Sequence, residues 1–272
     1  MKNYQSFGEQ YRLEHGIPGD EHETFHDFLL ISPSYRLAHR MLNGEHIEPT
    51  VIDLIPGWME VLDTYKLCGD VYAVPFIEWW DAIGRNLFYT QQDDGTYVPQ
   101  GPLKLQINKI NQTTLHEALC LVNDKARLQV RDGKRIENWR LGVEVRLKSK
   151  WVEELKGNVK KTFSNDEART ALGILVSKKL KQAHSIAENA ARGKFPCDES
   201  VKSGLEFDYA NQYEITFGLF SLEQRVLRKR YENGKYVQKR HLNYLKPPSK
   251  AKQKERANQW ALRLKRNKTD DS

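Results

Sequence analysis

Cysteine is scarce in this sequence. The three cysteines, Cys68, Cys120 and Cys197, lie more than fifty residues apart and form no Cys-x-x-Cys pair. Closely spaced cysteines are typical of disulfide frameworks and of zinc sites. The spacing observed here fits a reducing compartment, so the cytoplasm is the expected location.

Long hydrophobic runs are also missing. No segment approaches the roughly 18 consecutive apolar residues of a membrane span, and residues 1–16 lack the apolar core of a signal peptide. The mean hydropathy is −0.71. The hydrophobic fraction of 39% and the aromatic fraction of 10% are nevertheless too high for a disordered chain. We therefore expect a folded protein that does not associate with membranes.

Sequence signatures of catalysis are few. The sequence has no Walker-type glycine loop and no Gly-x-Ser-x-Gly nucleophile elbow. Residues 22–26, HETFH, satisfy the His-Glu-x-x-His pattern of zinc proteases. Asp20 and Asp27, however, flank that pattern with charges, and the turn residues 16–19 leave little helix before it. We interpret the match as accidental, and metal binding by His22, Glu23 and His26 stays open at this point.

Acidic residues offer a second route to metal chemistry. Glu78 and Asp81 are one helical turn apart and, with Asp70, could hold Mg²⁺. Glu144 lies near basic residues on a predicted strand, with no convincing Asp before it. The sequence therefore favours a binding protein without a cofactor, and a metal-dependent hydrolase or nuclease is an alternative.

Charge is distributed unevenly along the chain. Residues 1–100 contain 6 Lys and Arg against 16 Asp and Glu, whereas residues 223–268 contain 16 against 3. A concentrated positive field attracts polyanions and speeds their association. The basic end therefore predicts a nucleic-acid partner, and the acidic end predicts a protein partner. A tail that only aids solubility is the alternative for the basic end.

Helix signals dominate the acidic region. Ser32 can cap a helix that has Pro33 at its first position and ends at Asn43-Gly44. Pro56 precedes a second amphipathic segment, and residues 71–88 place a heavy aromatic face in helical register. These patterns predict a helical N-terminal domain, residues 1–90.

The middle of the chain mixes helix and strand signals. Turn residues in 91–102 predict a linker. Leu103, Leu105 and Ile107 alternate as in a strand, and a hairpin is predicted about Asp132-Gly133, with a further strand through residues 143–147. The predicted fold class is mainly α with a small β element (α+β), with a mixed domain at 103–220 and a basic helical arm at 221–272.

Residues 164–192 predict a helix-turn-helix. Ser164 and Glu167 form a capping box, Gly173 can end the first helix, and Ser177 can cap the second. One continuous helix from Asn165 through Arg192 is the alternative, since an interior glycine costs only about 1 kcal/mol. The second helix would present lysines to phosphates and amides to adenine edges.

The basic arm interleaves cations with Tyr231, Tyr236, Tyr244 and Trp260, which could stack on bases or else anchor the arm to the protein core. The predicted DNA-binding residues are the polar residues of the second helix and the cations of the arm: Lys178, Lys179, Lys181, Gln182, Ser185, Asn189, Arg192, Arg225, Arg228, Lys229, Arg230, Lys239, Arg240, Lys250, Lys252, Lys254, Arg256, Arg263, Lys265 and Arg266. We expect a non-enzymatic DNA-binding protein with a regulatory or accessory role. An RNA-binding protein is the first alternative.

Overall fold

The structure of the chain, a computed structural model, describes residues 19–106, 110–147, 149–155 and 165–232. This part is mainly α-helical with one two-stranded sheet, as the fold class predicted. The helices are α1 (Asp20–Ile31), α2 (Pro33–Leu42), α3 (Pro49–Ile52), α4 (Trp58–Cys68), α5 (Phe76–Trp79), a π-helical turn (Trp80–Gly84), α6 (Arg85–Phe88), α7 (Gln112–Asp132), α8 (Asn138–Glu144), α9 (Lys150–Leu155), α10 (Asp166–Ala190) and α11 (Tyr209–Glu232). In these ranges no helix is both long enough and apolar enough to cross a membrane.

Helix α2 forms as its capping residues predicted. The Ser32 hydroxyl accepts a hydrogen bond from the Tyr35 amide at 3.2 Å, and Pro33 occupies the first turn, where no amide hydrogen is needed. The helix ends at Asn43, whose amide bonds to the His39 carbonyl. The apolar run before Ser32 is itself helical and forms α1. Three acidic residues lie in its first turn, where the positive end of the helix dipole stabilises negative charge.

The aromatic segment 76–88 is helical throughout but contains a π-helical turn. Trp79 and Trp80 are fully buried there, and the Trp79 indole donates to the Cys68 carbonyl at 2.7 Å. Gly84 is required by this packing, because a Cβ at that position would lie 2.7 Å from the Trp79 ring. The predicted aromatic face is therefore core.

The small sheet overlaps the predicted linker at 91–102. Strands β1 (Thr90–Gln91) and β2 (Tyr97–Val98) pair antiparallel, and the chain then returns to α6 through a bond from the Gly101 amide to the Phe88 carbonyl. Buried side chains on both sides of this segment belong to one hydrophobic cluster. Helices α1 and α2 therefore share a core with α7 and α10.

The hairpin predicted about Asp132-Gly133 is wrong. Residues before it continue α7, whose Leu115, Leu119 and Val122 are buried, and Gly133 closes that helix in the left-handed conformation (φ +66°). An Asp-Gly pair suits both a hairpin turn and a helix end, and burial of the α7 face selects the helix. The strand predicted through residues 143–147 is likewise replaced by α8 and a turn. Residues 103–106 are not a strand, and 107–109 lie outside the described residues.

The predicted helix-turn-helix is not present. Helix α10 runs without interruption through Gly173, as the alternative had it, and Ser164 lies outside the described residues. The reason is an unbroken buried stripe from Ala168 to Ala190, which packs against α1, α2, α7 and α8. Breaking the helix at Gly173 would take part of this stripe out of register. The free energy lost when these apolar side chains leave the core exceeds the cost of about 1 kcal/mol for an interior glycine.

Candidate nucleic-acid interface

An open groove of about 520 Å³ lies between α10 and the segment that leads into α8. We call it the α8–α10 groove. One wall consists of Arg135, Ile136, Glu137, Asn138 and Trp139, and the other of Thr170, Gly173, Ile174, Ser177, Lys178 and Lys181.

Close packing of α8 on α10 sets the position of the two walls. A Cβ on Gly142 would lie 2.9 Å from Leu172, so only glycine allows this approach. Asn138 donates to the Ser177 hydroxyl across the two elements at 2.7 Å. Gly173 lines the groove without a side chain, so it leaves this part of the groove open.

The groove carries a net positive charge. Arg135, Lys178 and Lys181 line it and are exposed, whereas its lining has one carboxylate, Glu137, which accepts a hydrogen bond from the Trp139 indole at 2.9 Å. Arginine and lysine side chains in this arrangement can neutralise phosphate oxygens.

The Trp139 ring is held by two contacts. Besides the bond to Glu137, the guanidinium of the buried residue Arg169 lies 4.1 Å from the ring centroid, in cation–π geometry. Arg169 does not line the groove, whereas Trp139 does. The ring therefore stands at the groove in a fixed orientation.

A further cation, Lys125, lies on helix α7 near Arg135. Its ammonium lies 4.5 Å from the Tyr209 ring centroid. Burial lowers the pKa of Lys125, the charge of Arg135 shifts that pKa in the same direction, and the charge of Glu206 opposes the shift. Arg135 is therefore close enough to act on a second cation outside the groove.

Two of the predicted DNA-binding residues of α10, Lys178 and Lys181, lie together in the groove. Their neighbours on the helix bond within the protein. Lys179 pairs with Glu117 at 2.7 Å, and Gln182 donates to Asp198 at 2.8 Å. Ser185 is half-buried.

Asn189 and Arg192 were expected to face outward, and this expectation is wrong. Asn189 is buried and donates to the Cys197 and Glu199 carbonyls. Arg192 is also buried, pairs with Glu188 at 3.2 Å and donates to the Pro56 carbonyl at 2.9 Å. Both residues lie near the end of α10, where the chain turns back and covers the helix, so neither side chain is available to a partner.

The cations of the basic arm lie mostly outside the described residues. Arg225 is exposed on α11. The backbone of Arg228, Lys229 and Arg230 continues that helix, but their side chains are not described. The remaining predicted contacts lie outside the described residues: Lys239, Arg240, Lys250, Lys252, Lys254, Arg256, Arg263, Lys265 and Arg266.

The candidate metal ligands do not converge. His22 and His26 are buried among aromatic rings, with His22 4.7 Å from the Phe88 centroid and His26 5.0 Å from the Trp79 centroid. Asp70 accepts a bond from the Tyr72 amide at 2.8 Å, as a turn residue does. Over the described ranges, no group of three or more His, Cys, Asp or Glu side chains is arranged to hold a metal ion.

Arg135, Asn138 and Trp139 are groove residues that the sequence pattern did not indicate, because they fall within the predicted hairpin. The signal was present in residues 135–140, RIENWR, where a tryptophan stands between two arginines. Their pairing with α10 depends on a contact between segments about 40 residues apart, which no local pattern reveals.

Comparison with models of known protein families, with curated protein sequences and with solved structures finds no match to this chain.

Proposed function

We propose that this protein binds nucleic acid, with Arg135, Lys178 and Lys181 of the α8–α10 groove contacting phosphates. The observation that carries the proposal is the meeting of three exposed cations with a single carboxylate on one concave surface. Release of counterions from the phosphates drives such binding. The basic segment 223–268 adds positive charge to the same chain. A cytoplasmic location and a protein partner for the acidic N-terminal region belong to the same proposal.

The proposed mode is contact with the nucleic-acid backbone. Reading of duplex DNA by a recognition helix required a turn at Gly173 and outward-facing amides on α10. Helix α10 is continuous, Asn189 is buried and Gln182 bonds to Asp198. The preference for DNA over RNA depended on that recognition helix. The proposed partner class is therefore nucleic acid, without a preference for DNA.

A salt titration of paired variants tests the proposal. The Lys178→Ala/Lys181→Ala protein is compared with Lys66→Ala/Lys104→Ala, which removes the same charge from two exposed lysines outside the groove. Affinity for labelled oligonucleotides is measured by fluorescence anisotropy. We expect the groove variant to reduce the log–log salt slope by up to two contacts of about 0.7–0.9 each, and the control to leave the slope unchanged.

A third variant controls for position along the helix. Lys179→Ala changes the residue next to Lys178 but removes an ion pair with Glu117. We expect its salt slope to match the wild-type slope. Equal slopes for all the variants would show that the groove does not contact phosphates, and a wild-type protein that binds no oligonucleotide at low salt would overturn the proposed function.

A further inference from the structure

The α8–α10 groove combines phosphate-binding cations with an aromatic ring. Trp139 is half-buried, its indole nitrogen bonds to Glu137, and Arg169 covers part of the ring without lining the groove. Trp139 thus brings part of an aromatic side chain to the groove, while the cation that packs on its ring lies outside the lining. An aromatic side chain fixed beside cations can stack on nucleobases with little loss of conformational entropy on binding.

The shape of the groove selects among nucleic acids. A duplex has its bases stacked inside, and its convex backbone can reach cations at a rim but cannot place a base within a groove. A single strand can splay a base onto an aromatic ring. The volume of about 520 Å³ falls within the range of about 300–1,000 Å³ found for small-molecule pockets, which is the scale of a nucleotide.

The walls also provide hydrogen-bonding groups at the same place. Asn138 and Ser177, which bond to each other at 2.7 Å, both line the groove, and so does Thr170. Their amide and hydroxyl groups lie among the cations and the ring, so a base that enters the groove meets polar atoms at its edge.

We propose that the α8–α10 groove binds single-stranded nucleic acid, with a base stacked on Trp139 and the adjoining phosphates held by Arg135, Lys178 and Lys181. This inference rests on the proposed function, because it names the substrate class of the same groove. Binding of this kind tolerates many sequences, since every base has a face that can stack.

Variants of two tryptophans test the stacking contact. Trp139→Leu removes the ring, Trp139→Phe keeps an aromatic face, and Trp151→Leu is the matched control. Trp151 is also half-buried beneath a cation, Lys150 at 4.2 Å, but does not line the groove. The probes are a 12-nucleotide oligo(dT), the matching oligo(U) and a 12-base-pair duplex, each labelled for fluorescence anisotropy.

For the single strands, we expect Trp139→Leu to weaken binding by about 5- to 150-fold, the range found when a stacking aromatic is removed. Trp139→Phe should recover most of the affinity, and Trp151→Leu should bind like the wild type. Duplex affinity should be lower than single-strand affinity and should change little in any of the three variants. A preference for oligo(dT) or oligo(U) shows which of these two polymers the groove favours, and either result supports a single-strand groove.

Tryptophan fluorescence gives a readout that a purely structural role would not change. Oligonucleotide binding should quench part of the wild-type emission, and this part should be missing in Trp139→Phe although that variant still binds. Thermal melting of each variant shows whether Trp139→Leu is folded, and the Phe variant tests the proposal if it is not.

The outcomes separate this inference from the proposed function. If single strands bind through Lys178 and Lys181 but Trp139→Leu has wild-type affinity and Trp139→Phe keeps the full quenching, the stacking contact is refuted and nucleic-acid binding stands. If duplex binds as tightly as single strand, the substrate class is wrong. If no oligonucleotide binds at low salt, both proposals fail together.

Discussion

Glu188 is the buried carboxylate that joins α10 to the N-terminal helices. It is fully buried, and one of its oxygens accepts bonds from the Ser32 hydroxyl and the Ser34 amide, each at 3.0 Å. The other oxygen accepts from the Ser34 hydroxyl and from Arg192, which is itself buried. Replacing Glu188 with alanine would remove the acceptor of the three serine donors and the negative charge that pairs with Arg192 in the protein interior.

The expected loss of stability follows from these partners. Hydrogen bonds to a charged group contribute about 1.5–3 kcal/mol each, although the serine hydroxyls can rotate toward other acceptors. Arg192 keeps its bonds to the Pro56 and Glu188 carbonyls but loses its counter-charge, and removing one partner of a buried ion pair costs about 3–5 kcal/mol. We therefore expect Glu188→Ala to lower the free energy of unfolding by about 3–5 kcal/mol, a large part of the ~5–15 kcal/mol typical of a folded protein. Glu188→Gln keeps the shape and one acceptor oxygen, so its cost should be smaller.

Urea unfolding followed by tryptophan fluorescence and far-UV circular dichroism measures this loss. Glu60→Ala is the matched control, because Glu60 forms an exposed pair with Lys194, and such pairs contribute only about 0.2–1 kcal/mol. Adding Arg192→Met to Glu188→Ala should recover part of the loss, since the uncompensated charge is then gone. A cost below about 1 kcal/mol for Glu188→Ala would refute the role assigned to this network.

Two further predictions concern local packing and pH. Gly142→Ala should destabilise the protein by about 1–3 kcal/mol, because its Cβ would lie 2.9 Å from Leu172; Gly218→Ala, also helical but with open space, should stabilise it by up to about 1 kcal/mol in the same unfolding assay. Hydrogen bonds from the Thr96 side chain and amide hold the pKa of Asp94 below its ordinary value of 3.8. Its contribution to stability is therefore present above that value and lost as pH falls through the lowered pKa, and an NMR titration should show this pKa rise in Thr96→Val.

Several element boundaries follow from local signals in the sequence. Ser32-Pro33 and Asn43-Gly44 bound α2 because capping uses only groups within one turn of the helix end. The hairpin predicted at Asp132-Gly133 is wrong, although Gly133 does adopt the left-handed conformation that such a turn uses. The same conformation serves a hairpin and a helix end, so the sequence located the break without deciding which element precedes it.

The sequence by itself determined composition, charge asymmetry, the mainly helical class and the cluster of lysines at 178–181. Tertiary structure alone decided that α10 is continuous, since its buried stripe gains more by staying in register than Gly173 loses. It also decided that Asn189 turns inward while Lys178 and Lys181 meet Arg135 and Trp139 in one groove. Local patterns report one helical turn at a time, whereas the direction of a side chain depends on which distant segment packs against it.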